Sequence, residues 1–296
     1  MKTHSLCENY KAMFNGAVNF GVEYLSAHKN IESLIIGVSG GIDSAVVTAM
    51  AASIRDAMDR PINVIGRYLP TVSNAKEEKE RAQKVANTFC NAFALKNIET
   101  ALCYTLHELD EELFGKYAGA KLSPYGGSPV PLSKDNKVRI GNIKARLRML
   151  YLYNLANKHK GLVLSTDNFT ELNLGFWTLH GDVGDLGLIQ QLWKTEVYGI
   201  AESIGGVLYD FLDATPTDGL GITNSDIDQI LPYWTPDMGS YRDAYQLVDN
   251  ILIDHISEYD TYSKDHPVIQ RYINSKFKRE NPTNAGRDLL VWRYND

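Results

Sequence analysis

The chain has little that would staple it, anchor it or export it. Only three of its 296 residues are cysteines, Cys7, Cys90 and Cys103. Odd in number and far apart, they fit neither a disulfide framework nor a zinc-binding spacing. No apolar run approaches the roughly 18–20 residues of a membrane-spanning helix, and residues 1–10 lack the apolar stretch of a secretory signal. Positive charge is in deficit: 30 Lys and Arg against 36 Asp and Glu give a net charge of −6. That argues against a general nucleic-acid or anionic-membrane binder and leaves room for a local basic pocket. Neither an internal repeat nor a low-complexity tract is present. What remains, 44% hydrophobic and 22% charged residues, is a globular composition with length for a substantial core. These features read as a soluble, cytoplasmic protein.

Short apolar runs alternate with amphipathic stretches. Residues 33–38 are nearly continuously apolar, which predicts a strand buried on both faces. After a Gly-rich turn, Ile42, Ala45, Val46, Ala49, Met50 and Ile54 recur at the spacing of one helix face. Further strands are predicted at 62–66, more weakly at 97–103, and at 161–165. Helices are predicted at 76–89 and 142–158, and beyond Pro216 at 224–230 and 242–257. Strands separated by helices predict an α/β fold, an open parallel sheet with helices on both faces, Rossmann-like, with a helical C-terminal region. The Pro- and Gly-containing stretch 116–137 reads as an irregular loop, either a lid or plain disorder. No linker forces a second domain, so 1–296 is expected to be one domain with a helical N-terminal extension to about residue 32.

The most informative stretch joins the first strand to its helix: Gly37, Val38, Ser39, Gly40, Gly41, Ile42, Asp43 and Ser44. Parallel-sheet proteins bind phosphates at such turns, because glycines admit an anion close to the backbone and the free amides of the helix start point toward it. Ser39 and Ser44 add hydroxyl donors. Asp43 would repel a bare phosphate, so a bridging Mg²⁺ is expected beside it. A Walker loop requires a lysine that is absent, and the dinucleotide pattern G-x-G-x-x-G is absent too. The run from Gly37 to Gly41 does satisfy G-x-S-x-G, the nucleophile elbow of serine hydrolases, yet only one strand precedes Ser39. An ordinary strand-turn-helix with packing glycines also remains open.

Residues 39–44, S-G-G-I-D-S, resemble the pyrophosphate-binding motif of the ATP pyrophosphatases (adenine nucleotide α-hydrolase-like), the group that includes NAD synthetase, GMP synthetase and asparagine synthetase. Other segments resemble NAD synthetases in particular, in that family's order from about Ser33 to Pro282. Residues 141–149 are similar to its G-N-x-K-A-R-x-R-M segment, and residues 164–171 to its G-T-D-N/H-x-x-E. Residues 175–185 are similar to G-x-x-T-K-x-G-D-G-G-x-D, and residues 215–220 to a P-T/S-x-x-L loop. Residues 277–282 are similar to H-K-R-x-x-P.

The resemblance implies ATP contacts from Gly37 to Ser44 and at Thr166, Lys194 and Thr217. It implies Mg²⁺ carboxylates at Asp43 and Glu171, and contacts to the nicotinate-bearing substrate, deamido-NAD, at Asn142, Arg146, Asp182, Asp185 and Lys278. Asp185 is reached by allowing a one-residue deletion. Asn142, Arg146 and Arg148 are expected near a helix start, where cations suit a dinucleotide phosphate. Asp43 and Lys194 are the expected catalytic residues. Departures from the pattern are Leu179 in place of a lysine, Val183 in place of a glycine, and Phe277 where histidine is common.

The implied reaction is amidation of the nicotinate carboxylate by ammonia. The carboxylate attacks the α-phosphorus of ATP, pyrophosphate leaves, and ammonia displaces AMP from the acyl-adenylate. Only about 30 residues precede the first strand, too few for a glutamine-hydrolysing domain, so free ammonia is the expected nitrogen source. The family resemblance also implies a homodimer. Nicotinate mononucleotide is an alternative acceptor. A serine hydrolase pairing Ser39 with His180, His255 or His266, and a silent nucleotide-binding regulator, are the alternatives from other classes.

Overall fold

The computed structural model describes residues 5–121, 131–217, 223, 225–259 and 261–281. In chain order the elements are α1 (Tyr10–Ala27), β1 (Ser33–Gly37), α2 (Ile42–Ala57), β2 (Asn63–Tyr68), α3 (Lys76–Phe89), β3 (Ala92–Leu95), α4 (Glu99–Leu109) and α5 (Glu111–Lys121). They continue with α6 (Lys134–Lys158), β4 (Gly161–Ser165), α7 (Phe169–Leu174), β5 (Leu186–Gly187), α8 (Lys194–Ile204), α9 (Asp226–Ile230), α10 (Tyr241–Ile256), α11 (Pro267–Asn274) and α12 (Lys276–Arg279).

The five strands form one parallel sheet in the order β3-β2-β1-β4-β5, with Ile35 level with Ile65 on one side and with Val163 on the other. The expected α/β architecture is therefore present. Alternate residues of β1 face opposite ways, and both ways are apolar. Leu34 and Ile36 join α2 and α8 in the main core, whereas Ile35 meets Met149, Leu152 and Ala156 of α6. The chain begins in the middle of the sheet, winds outward to β3, then crosses through α6 to β4. Strand order thus reverses between β1 and β4, the place where open α/β sheets leave a crevice at the strands' carboxyl ends. No helix among the described residues is long and apolar enough to cross a membrane.

Three sequence expectations change. The third strand is Ala92–Leu95, not 97–103, which instead begins α4. Ile98, Leu102 and Leu106 are fully buried at four-residue spacing, a helical period, while β3 is an apolar run of only four residues at a largely exposed edge. The stretch expected to be a loop is helical at both ends, through Lys121 and again from Lys134; its middle, 122–130, lies outside the described residues. Helix α6 starts eight residues before Asn142, behind a Ser133 cap whose hydroxyl accepts from the Asn136 amide at 3.3 Å. Gly141 and Asn142 therefore lie two turns inside the helix, and the amides there are not free to bind a phosphate.

Candidate functional site

A cleft of about 380 Å³ opens at the reversal point, floored by the ends of β1 and β4. One end of it is the turn after β1. Ser44 Oγ donates to the Gly41 carbonyl at 3.0 Å and accepts from the Ser39 amide at 3.2 Å, while the two serine hydroxyls lie 3.0 Å apart. Gly41 occupies the N-cap of α2 with no side chain to satisfy the first-turn amides, which face the cleft. Gly40 has φ +87°, and a Cβ there would stand 2.2 Å from the Glu78 carbonyl oxygen. A Gly40→Ala variant is accordingly expected to lose about 1–3 kcal/mol from backbone strain, with the clash adding to it. It should also bind pyrophosphate more weakly. Urea unfolding and a pyrophosphate titration check both, and unchanged values refute the tight-turn account.

Opposite the turn stands Lys194, the first residue of α8, with its side chain 4% exposed. Its Nζ donates to Asp43 Oδ2 and, at 3.1 Å, to Glu171 Oε1. Burial works against the ammonium charge, but Asp43 and Glu171 hold the Lys194 pKa well above its usual value. Asn168 caps α7 through a reciprocal pair with Glu171, and its Nδ2 donates to Asp43 Oδ1 at 2.9 Å. Burial pushes the Glu171 carboxyl up to about 7 against the pull of Lys194. It pushes Asp167 well above the carboxylate range, helped by repulsion from Asp182 and Glu171. Two carboxylates, Asp43 and Glu171, thus flank one ammonium, with the buried Asp167 repelled by both, leaving an environment that favours added positive charge.

At the other end, both Asp182 oxygens accept from the Thr178 amide, at 2.8 and 2.9 Å, and Thr178 Oγ1 donates to Asn142 Oδ1 at 2.8 Å. Burial raises the Asp182 pKa to about 6, partly offset by that amide and by Lys278. Lys278 Nζ donates to the carbonyls of Gly175, at 2.7 Å, and Trp177.

Gly37 to Ser44, Asn142, Thr166, Glu171, Asp182, Lys194, Thr217 and Lys278 all line this one cleft. Arg146 and Asp185 do not. Arg146 is exposed, its Nε donating to the Leu179 carbonyl at 3.3 Å. The cleft-facing stripe of α6 runs through Asn142, Ala145, Arg148, Met149 and Leu152, and Arg146 lies off that lining, near enough to Asp182 to draw its pKa down. Asp185 immediately precedes β5; it accepts from the Val163 amide at 2.9 Å and from the Tyr153 hydroxyl at 3.0 Å, tying the sheet edge. The deletion invoked to reach it leaves it next to the strand. Residues 218–222 and Pro282 lie outside the described residues.

The sequence reading did not single out the cleft residues Glu78 or Arg81, and it quoted Asp167 and Asn168 within the 164–171 motif without giving either a role. None of the three histidines weighed for a hydrolase lines the cleft. His266 caps α11 and meets Tyr233, His255 packs edge-on to Tyr272, and His180 lies beside Asn281.

Among the described residues no group of three or more His, Cys, Asp or Glu side chains is arranged around a metal position. Asp43 and Glu171, on either side of Lys194 Nζ, present two neighbouring hard oxygen donors into the cleft. That fits Mg²⁺, which takes one or two protein carboxylates and completes its shell with phosphate oxygens and water.

The raised carboxyl groups set the pH response of the free protein. Folded-state values of about 7 for Glu171 and about 6 for Asp182 and Asp249 lie above the unfolded values, so the folded state binds the extra protons. Stability is therefore expected to rise as pH falls from about 8 to about 5. The lowered surface groups Asp56, Asp110 and Asp243 titrate below this window. Scanning calorimetry in salt high enough to screen the net charge should give a higher Tm near pH 6 than near pH 8. The opposite order contradicts the buried-carboxyl account.

A profile of the family described as NAD synthase matches residues 14–282. The NH3-dependent NAD+ synthetase of Methanococcus aeolicus is 30% identical over 234 residues, 75% of this chain and 82% of that protein. That of Wolinella succinogenes is 29% identical over 285 residues, 93% and 95% of the two chains. The structure titled NMN synthetase from Francisella tularensis shares the fold, with a TM-score of 0.71 at 23% identity, covering 94% of this chain and 99% of that one. Taken with the glycine-serine turn after β1 and the carboxylate-flanked lysine, the match over most of the sequence means that the chain belongs to the NAD synthase family.

Proposed function

We propose that the protein amidates the nicotinate carboxylate of deamido-NAD with ammonia at the expense of ATP, releasing AMP and pyrophosphate and forming NAD. The observation that carries this reading is the anion-binding turn Ser39–Ser44 placed across the cleft from a buried Lys194. A carboxylate cannot be amidated directly, because oxide is too poor a leaving group. Transfer of AMP onto it creates a good one. In that step negative charge grows on the departing pyrophosphate, so the catalyst needs positioned donors and no protein nucleophile.

In this reading the Ser39 and Ser44 hydroxyls and the first-turn amides of α2 hold the phosphate tail, and Thr166 and Thr217 contact the nucleotide. Lys194 donates to the leaving oxygens. Asp43 and Glu171 would hold Mg²⁺, which when bound supplies neutralising charge between carboxylates and phosphates. Asp182, Asn142 and Lys278 line the acceptor's end of the cleft. A second copy of the chain would cover the exposed Leu150 and Tyr153 of α6 in a homodimer.

The test measures pyrophosphate release as a function of ATP, Mg²⁺ and ammonium, with deamido-NAD and nicotinate mononucleotide supplied separately, then with glutamine replacing ammonium. Release requiring ATP, Mg²⁺, ammonium and deamido-NAD is the expected result. Preference for the mononucleotide would move the acceptor assignment, and no release with either acceptor would overturn the reading.

A further inference from the structure

Helix α8 presents Lys194 at its first position, yet its N-cap residue is Trp193, which is not one of the short polar side chains that normally close a helix start. The amides of the first turn need acceptors all the same. They find them on other helices. The Lys194 amide donates to Thr170 Oγ1 of α7 at 2.8 Å, and the Thr195 amide donates to Asp249 Oδ2 of α10 at 2.9 Å. Thr195 Oγ1 donates to the same oxygen at 2.6 Å, and Thr170 Oγ1 donates to Asp249 Oδ1 at 2.5 Å. Asp249 is fully buried, far along the chain from both threonines, and absent from the lining of the cleft.

The pattern has a specific consequence. Thr170 immediately precedes Glu171, and Thr195 immediately follows Lys194. One carboxylate therefore fixes the backbone on either side of the ion pair, locking the first turns of α7 and α8 into one register. Its negative charge also lies at the positive end of α8, where the helix dipole stabilises it. One turn earlier on α10, the Tyr245 ring lies beneath the same ammonium, 5.2 Å from centroid to Nζ. Helix α10 thus supports Lys194 at its backbone and at its tip.

We propose that Asp249 is a positioning residue for the amidation reaction, a helix cap supplied from a distance that sets Lys194 Nζ and Glu171 at their working separation. The proposal rests on the amidating-ligase reading of the cleft. Asparagine at this site keeps the volume and one accepting oxygen but cannot accept from both threonines. In Asp249→Asn, kcat is expected to fall about 10–100-fold, the scale of a misplacement near 1 Å, with KM for ATP and for the acceptor within about threefold of wild type. Thr195→Val, which removes one donor, should lower kcat by a smaller factor, and Thr195→Ser, which keeps both, should restore it. A merely structural Asp249 would lower Tm and leave kcat of the folded enzyme unchanged. Should Asp249→Asn fail to fold, the valine and serine pair carries the same test. A kcat within about threefold of wild type in both Asp249→Asn and Thr195→Val overturns the proposal. If the wild-type protein itself releases no pyrophosphate, the ligase reading falls, and crystal structures of the wild type and Asp249→Asn still decide the clamp. Displacement of Lys194 Nζ from Asp43 and Glu171 supports it, and an unmoved ammonium overturns it.

Discussion

On the reading proposed above, replacing Asp43 with asparagine is expected to reduce kcat by about 10³-fold or more, because it would remove both the proposed Mg²⁺ carboxylate and a partner of Lys194 Nζ. In the free protein Asp43 accepts from Asn168 Nδ2 on one oxygen and from Lys194 Nζ on the other. Both neighbours are donors, so an amide at position 43 satisfies one of them and turns its own N–H toward the other. The fold should survive. Lys194 keeps Glu171 at 3.1 Å, and removing the Asp43 charge takes away a repulsion that helps raise the Glu171 pKa. Glu171 then ionises more readily and serves as the remaining counter-ion. Calorimetry should therefore show Tm within about 4 °C of wild type, the shift of about 1–2 kcal/mol in a chain of this size. Near-normal pyrophosphate release by the variant would remove the metal role from Asp43 and leave the site without its central carboxylate.

The contrast between Asp43 and Lys194 explains what the sequence discloses. Asp43 sits in one contiguous strand-turn-helix whose glycines, serines and apolar spacing all point the same way, so the anion-binding turn is legible from local pattern. The helical stripe of α2 was legible for the same reason: Ile42, Ala45, Val46, Ala49 and Met50 are all buried against the sheet. Lys194 has no such local context. The acceptors of its first-turn amides, Thr170 and Asp249, are 24 and 55 residues away, and Trp193 at the helix start supplies no polar side-chain cap. Only the family resemblance pointed to it.

The third strand that lay elsewhere and the two expected contacts that lie off the cleft have similar causes. Strand β3 is four residues at a largely exposed edge and β5 only two, each too short to show a period in the sequence. Arg146 and Arg148 are indistinguishable in a charge pattern. Only the phase of α6 against the sheet, fixed by Met149 and Leu152 packing on Ile35, sends Arg148 to the cleft and Arg146 to solvent. For Asp185 the backbone register next to β5, which a motif match does not contain, decides the placement. Two residues beyond Val183 it meets the Val163 amide before it can reach the cleft.

Substitution of Lys194 by methionine is the second large effect. Methionine matches the buried length and packs against Tyr245 and Tyr198, so the change isolates the charge. On the reading proposed above, loss of one donor to the leaving pyrophosphate should lower kcat about 10²–10³-fold, or about 2.7–4 kcal/mol. Stability should change as well, in a pH-dependent way. Without the ammonium, Asp43, Asp167 and Glu171 face each other with no internal cation, and breaking a buried pair from one side costs about 3–5 kcal/mol when the orphaned charge cannot neutralise. Here it can. Glu171 already has its pKa raised to about 7, and Lys194 is the main influence holding it down. Removing Lys194 raises it further, so the folded variant takes up a proton that the unfolded chain does not hold at neutral pH. By linkage the variant gains stability as pH falls through that raised value. The Tm deficit relative to wild type should therefore be largest near pH 8 and shrink toward pH 6, a trend that differential scanning calorimetry reads directly. A deficit that grows on acidification would mean that the carboxyl groups around Lys194 are not the protonating species. A kcat within about threefold of wild type would mean that the charge on the departing pyrophosphate is met elsewhere in the cleft.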